Sequence, residues 1–430
     1  MDRRHFIASV AAGAATLAGA GKAGAQTSQA KARVVIAGAG AAGLSVAARL
    51  ARAMPNATIT LVDAKKEHHF QPGLTLVGAG LWTPGYITEN NADYIPSGVN
   101  WVNEAVAEFD PVGNKIVTAS GKALAYDYLV VATGLKLDYA AIDGMSTDLI
   151  GKNGIASVYA GPAFAQASAQ AIDTFIEKGG IGHFGRPSTE MKCAGAPLKM
   201  TFITEDKSRM KNRRSAIKLV YNAHNTTVFS VKPVNDKVIE LFTKRDVAIQ
   251  FGRELVAIDP GKRLATFKTA QGPVEENYDF IHVIPPMRAP DAVRNSPLPW
   301  QSGPFVADGW IEADKSSLRH PRFPNVFSIG DVAGVPRGKT AASVKWQVPV
   351  VIDHLVSLAN DKSSTASYNG YTSCPLITEY GRAMLVEFDY DGKLVPSFPF
   401  IDPLQELWIS WLIDEKGLIG AYRAMLRGRA

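Results

Sequence analysis

The chain has 430 residues, 46% of them hydrophobic and 20% charged, long enough for two or three domains and far too apolar to be disordered. Its net charge of +6 is modest, and its basic residues are scattered without a run of five or six. That pattern lacks the electrostatic footprint of a nucleic-acid binder.

The N-terminus begins with Arg3-Arg4-His5-Phe6, continues as an apolar run of small residues from Ile7 to Ala20, and ends on Ala23-Gly24-Ala25. Paired arginines, a short apolar stretch and a small-x-small terminus have the layout of a twin-arginine secretory signal over residues 1–25. The run is too short to be a good membrane-spanning helix. The expectation is therefore an exported protein on the periplasmic side of an inner membrane, loaded with its cofactor before export.

Next comes a β-branched run, Arg33-Val34-Val35-Ile36-Ala37, followed without a gap by Gly38-Ala39-Gly40-Ala41-Ala42-Gly43 and the helical pattern Leu44-Ser45-Val46-Ala47-Ala48-Arg49-Leu50. In such a strand–turn–helix unit Gly38 permits the tight turn and Gly40 lets the backbone approach a pyrophosphate. Gly43 lets the helix pack close to the strand, and the helix N-terminus faces the phosphate charge. A second predicted strand, residues 57–63, ends on Asp63, twenty residues after Gly43 and placed to accept from ribose hydroxyls.

Two later segments point to FAD rather than NAD. Residues 126–134, Tyr-Asp-Tyr-Leu-Val-Val-Ala-Thr-Gly, read as a buried strand ending at Thr133 and Gly134. Residues 323–331 read as another strand, ending at Gly330 and Asp331. In flavoproteins with two dinucleotide domains, the first segment returns the chain to the FAD sheet and the second sets an aspartate on the ribityl hydroxyls. Lys339 and Thr340 then read as a helix start whose positive end could stabilise an anionic reduced flavin. Lys339 reads equally well as a solvated helix-end lysine.

Between these segments, a nicotinamide-dependent chain would carry a second glycine fingerprint. Here Gly179-Gly180-Ile181-Gly182-His183-Phe184-Gly185 places its glycines before and within the predicted strand, and no helix start follows. A loop carrying Cys193, followed by Lys199, stands there instead. The only other cysteine is Cys374, and neither sits in a C-x-x-C zinc pattern. From count alone, two buried apolar cysteines are the simpler reading. At the C-terminus, Leu404, Leu407, Trp408, Trp411 and Leu412, then Leu418, Ile419, Tyr422, Met425 and Leu426, are spaced as two amphipathic helices broken near Gly417. Their tryptophans and arginines suit a membrane interface, and the same stripe would suit a helix pair packed on the protein's own core.

Five segments together carry a family resemblance: Lys192-Cys193-Ala194-Gly195-Ala196-Pro197, His282-Val283-Ile284-Pro285-Pro286-Met287, Gly370-Tyr371-Thr372-Ser373-Cys374-Pro375-Leu376, Glu387-Phe388-Asp389-Tyr390 and Met425-Leu426-Arg427-Gly428. From about residue 33 onward the chain resembles the sulfide:quinone oxidoreductases, in the two-cysteine branch that includes the mitochondrial enzyme. The resemblance implies an α/β flavoprotein with two Rossmann-like domains and non-covalent FAD. It implies that Cys193 and Cys374 form a redox pair facing the flavin, with sulfide attacking Cys374, and that Lys199 favours a sulfur anion there. It also implies quinone as electron acceptor, a separate acceptor for the sulfane sulfur, and peripheral membrane docking by the C-terminal helices; the oligomeric state stays open. The expected division is 31–150 with 275–350 for FAD, 151–274 for a second Rossmann-like domain without an NAD fingerprint, and 351–430 for the quinone and membrane interface. Flavocytochrome c sulfide dehydrogenase is the rival reading; that family attaches FAD through a cysteine in the first half, and no cysteine precedes Cys193. Ala156 stands where many bacterial members have a third cysteine, and Leu198 and Lys199 stand where many have a glutamate.

Overall fold

The computed structural model describes residues 26–429; the signal-like segment 1–25 lies outside them. Two parallel sheets organise the chain. The first contains β1 (Arg33–Ala37), β2 (Thr58–Val62), β3 (Val99–Val102) and β4 (Tyr128–Val131). The second contains β5 (Ile155–Ala156), β6 (Gly180–Gly185), β7 (Ile217–Ala223), β8 (Val247–Phe251) and β9 (Phe280–His282). The chain then returns to the first sheet for β10 (Val326–Ser328).

The strand orders are β10-β4-β1-β2-β3 and β5-β9-β6-β7-β8. β1 lies between two parallel partners, which is why its sequence is continuously apolar and Val34 to Ala37 are all buried. Crossover helices cover the faces: α1 (Ala41–Ala53), α2 (Pro162–Lys178), α3 (Ala196–Met210) and α4 (Ala341–Ala359). α1 packs on α4, so the first βα unit is closed by a helix from the far end of the chain. The strand pattern and the fold class follow the sequence closely.

The second sheet differs from the sequence reading in one respect. A helix does follow β6, but only after a ten-residue loop, and it is α3 that begins at Ala196. The loop occupies the place of a nucleotide cradle and carries Cys193 just before the helix.

The C-terminal helices start later than expected, since Leu404 lies in a turn and Leu407 in a bridge to Ala383, and from Trp408 the run is continuous rather than broken. α5 (Trp408–Leu412) passes through a π-turn, Ile413–Gly417, into α6 (Leu418–Leu426). Ile419, Tyr422, Met425 and Leu426 of α6 are buried in the main core, and α6 packs on α1. Tyr422 Oη lies 2.7 Å from His68 Nε2, Arg423 pairs with Glu89 at 2.6 Å, and Arg52 donates to the Gly428 carbonyl at 2.5 Å. The apolar stripe of α6 therefore faces the protein itself. Trp411 is also buried, beside Leu76, Ile203 and Ile377. Among the described residues, large apolar surface in this region comes from Trp408, 59% exposed, Phe400, 83% exposed, and Tyr380, 48% exposed beside Trp411.

Candidate active site

The dinucleotide cradle is built by close backbone approach. Gly38 has φ +109°, and a Cβ there would lie 2.4 Å from the Ala132 carbonyl oxygen. A Cβ on Gly43 would lie 1.7 Å from the Gly38 oxygen, so the turn and helix fit only with glycine at both positions. Gly40 is different: a Cβ there would meet nothing within 4 Å, so the backbone in front of α1 is accessible to a ligand. Asp63 closes the loop by accepting from the Ala39 N–H at 2.7 Å and the Lys65 N–H at 2.8 Å.

The remaining cradle residues gather at the carboxyl ends of β4 and β10, where ligands of open α/β sheets bind. Thr133 follows β4, and its buried hydroxyl has no partner among the described residues; Gly134 takes a positive φ of 69°. Gly330 donates its N–H to Gln347 Oε1 at 2.9 Å. The Asp331 carboxylate makes no hydrogen bond or ion pair among the described residues, which leaves it able to accept from a polyol. Thr340 is the N-cap of α4, accepting from Ser343 N at 3.2 Å, so the start of that helix is free to meet an anion. These residues fit a flavin dinucleotide: close-packed glycines, an unpartnered hydroxyl, an uncommitted carboxylate and a helix N-terminus.

Lys339 is neither solvated nor free. Its ammonium donates to the carbonyls of Asp331, at 2.5 Å, and Ala333, at 3.1 Å, and sits 3.6 Å from the Trp310 ring centroid. Burial pulls its pKa down to about 8. Its own carbonyl accepts from the Cys193 N–H at 3.1 Å, which ties the cysteine loop to the cradle.

Cys193 is half-buried and has φ +46°, a left-handed conformation that non-glycine residues rarely take. The surroundings over-determine it. Besides the bond to Lys339, the Ala196 N–H donates to the Cys193 carbonyl at 2.9 Å. Tyr159 Oη donates to the carbonyls of Lys192 and Cys193 at 2.7 and 2.9 Å. Such strain, held by several contacts, is typical of functional sites. α3 starts three residues later, and its N-cap Gly195 offers its N–H to the Cys374 sulfur.

Cys374, 2% exposed, is brought against Cys193 from the far part of the chain and anchored by its N–H on the Val386 carbonyl at 2.8 Å. A Cβ on Gly195 would lie 2.6 Å from Cys374 Sγ and 2.5 Å from Leu376 Cδ2; only a glycine lets the loops meet. Both cysteines are free thiols here, and their side chains are hydrogen-bonded to each other. That bond lowers the pKa of Cys193 against the effect of burial, with Lys199 and Lys192 adding to the lowering. The same bond, with burial, raises that of Cys374. Of the two, Cys193 is thus the sulfur that favours the thiolate form.

Lys199 lies on the first turn of α3 and is buried, 3% exposed. Burial opposes its charge, but Cys193, Asp414 and Cys374 together raise its pKa, so it stays a cation facing the sulfurs. Asp414, buried in the π-turn, is the acidic counterpart, with its pKa raised by burial and lowered by Lys199. Sequence reading did not single out Asp414, Tyr159, Lys192 or the contact that requires Gly195. Lys192 adjoins Cys193 and was within reach of the sequence; Asp414 and Tyr159 are joined to the site by folding alone.

Comparison with known proteins fits this geometry. Residues 32–163 match the model of the pyridine nucleotide-disulphide oxidoreductase family. The mitochondrial sulfide:quinone oxidoreductase of Mus musculus is 35% identical over 405 residues, covering 92% of this chain and 86% of that protein. That of Schizosaccharomyces pombe is 38% identical over 348 residues, covering 79% and 73%. The chain belongs to the sulfide:quinone oxidoreductase family. It is an oxidoreductase of the flavin-dependent type. In three dimensions it is similar to the sulfide:quinone oxidoreductase of Aquifex aeolicus, with a TM-score of 0.74, 18% identity and 91% of each chain covered.

The same relatives correct the expected location. They are mitochondrial enzymes by name, which overturns the reading of a periplasmic protein exported by a twin-arginine signal. Arginines beside a short acid-poor, apolar stretch do not separate a secretory signal from an organellar leader, so residues 1–25 could not decide the compartment.

Proposed function

We propose that this chain oxidises sulfide with the Cys193–Cys374 pair and passes the electrons through FAD to a quinone. The observation that carries this reading is the meeting of the two thiols, from distant parts of the sequence, beneath a buried lysine and one hydrogen bond from the flavin cradle. The names of the relatives supply the substrate and the acceptor.

In the oxidised pair the two sulfurs are joined. Sulfide anion attacks Sγ of Cys374; the bond to Cys193 breaks, a persulfide forms on Cys374, and Cys193 leaves as a thiolate with the bonding electrons. Lys199 and Lys192 stabilise that thiolate. A nucleophilic sulfur acceptor then takes the outer sulfur, leaving Cys374 as a thiolate, and loss of two electrons rejoins the pair. The glycine turn with Asp63, Thr133, Asp331 and the α4 N-terminus would hold FAD without a covalent link, and FAD when bound supplies the two-electron relay between the thiolate and quinone. The first sheet is proposed as the FAD domain, the second as its Rossmann-like partner, and 351–430 as the quinone-facing segment. Exposed Phe400 and Trp408 support peripheral membrane contact; among the described residues no helix is long and apolar enough to cross a membrane.

Anaerobic sulfide should bleach the flavin of the purified protein while NADH leaves it oxidised, and Cys193→Ser should abolish the bleaching. Acid should release the flavin into the supernatant. Bleaching by NADH with sulfide inert would overturn the proposal.

A further inference from the structure

The second sheet has a crevice of its own, whose lining includes neither cysteine. It opens at the carboxyl ends of β6, β7 and β9 and is lined by His183, Arg186, Asn222, Arg253, His282 and their apolar neighbours. His183, Asn222 and His282 come from three adjacent strands: Gly185 is in register with Asn222, and His183 with Ile281. All three are buried, at 1, 3 and 2% exposure.

Their hydrogen-bonding capacity is left over. Both ring nitrogens of His282, Nε2 of His183, Oδ1 of Asn222 and Nε of Arg186 are buried without a partner among the described residues. Native interiors rarely leave so many buried polar atoms unmet in one place. Local partners have already been spent: Asn222 Nδ2 donates to the Phe184 carbonyl at 3.1 Å and lies 3.2 Å from His183 Nδ1. Glu276 is taken by Arg253 at 2.5 Å and stays 3.6 Å from His183 Nε2. Arg186 has no carboxylate within ion-pair distance among the described residues. Burial holds His282 neutral, with its pKa down at about 3, so one ring nitrogen is a donor and the other an acceptor.

We infer that this crevice is a binding site for a small protonated oxyanion of the hydrogen phosphate type. The Arg186 fork matches the anionic oxygens, His282 and His183 supply N–H donors, and the ion's own O–H meets Asn222 Oδ1. Sulfate, fully ionised, has no O–H for Asn222. A dinucleotide does not fit, because residues 186–195 fill the place where its pyrophosphate cradle would turn from strand into helix. The crevice thus keeps the position at which α/β sheets bind ligands while the Cys193 loop occupies the place of a nucleotide cradle.

The test is calorimetric titration of the full-length flavoprotein with inorganic phosphate near neutral pH, against sulfate and chloride at matched ionic strength. One saturable phosphate site is expected, with at least tenfold weaker binding for sulfate and for Arg186→Gln, and with flavin content unchanged in the variant. Arg186→Lys, which keeps the charge and loses the fork, should fall between. Phosphate heats no larger than those of chloride, or undiminished in Arg186→Gln, would overturn the site. Stoichiometric NADH binding displaced by no phosphate would assign the crevice to a nucleotide and overturn it equally.

Discussion

At the scale of single residues, the site turns on where one negative charge rests. Cys193 favours it because the hydrogen bond from Cys374 and the nearby Lys199 lower its pKa. A depressed pKa means that the thiolate persists below the ordinary thiol value of about 8.5, and that its stabilising contribution is complete above that value and lost as the pH falls through the lowered one. Lys199→Met should therefore raise the pH midpoint of thiolate absorbance and of alkylation at Cys193, and should slow flavin reduction by sulfide more than tenfold near neutral pH; an unchanged midpoint would detach Lys199 from the chemistry. Gly195→Ala tests the approach of the two loops. Its Cβ would overlap Cys374 Sγ and Leu376, so sulfide-driven reduction should fall steeply while the flavin stays bound, read as activity per bound flavin. Glycines of the cradle were legible in the sequence because a strand and a helix flank them without a gap. The thiol pair was not legible from residue count, and only the likeness of several short segments to one family brought Cys193, Cys374 and Lys199 together. Lys339 shows the limit of such reading. A lysine before a helix looks the same whether it is solvated, aimed at a ligand or, as here, spent on two carbonyls and a tryptophan face.

At the scale of elements, the strands of the first sheet were plain from β-branched runs, and the β6 loop was visible as a missing fingerprint. The C-terminal helices were not resolved by periodicity, since a stripe at helical spacing says that one face is apolar and not what covers it. In α6 the cover is the protein's own core. Met425 and Leu426 are 4 and 0% exposed, and truncating a fully packed Met or Leu costs about 2–5 kcal/mol. Met425→Ala and Leu426→Ala should each lower the melting temperature by several degrees, and removal of the whole helical run should cost flavin retention as well as quinone reduction. Clean survival of sulfide-driven flavin reduction after deleting 404–430 would show that α6 is dispensable to the cradle. The π-turn between α5 and α6 has a role of its own, because it is where Asp414 reaches the buried Lys199.

At the scale of the whole molecule, the membrane contact proposed above would rest on a few exposed side chains, Phe400 and Trp408 among them. Phe400→Ser with Trp408→Ser should reduce sedimentation with liposomes and slow reduction of a long-tailed quinone, while the rate of flavin reduction by sulfide holds; equal sedimentation of the double variant would place the contact elsewhere. The return of the chain to its first sheet also sets an order in time. β10 lies against β4, yet Val326 leaves the ribosome almost two hundred residues after Val131, a delay of roughly 10–40 s at about 5–20 residues per second. During that interval the second sheet, whose strands all lie between, can complete itself while the first stands with an unpaired edge, a surface prone to mispairing. Tyr422, Arg423 and Gly428 reach His68, Glu89 and Arg52 later still. The earliest-made half is thus the last to be finished, and a chaperone that shields a strand edge would act on the opening third of the chain.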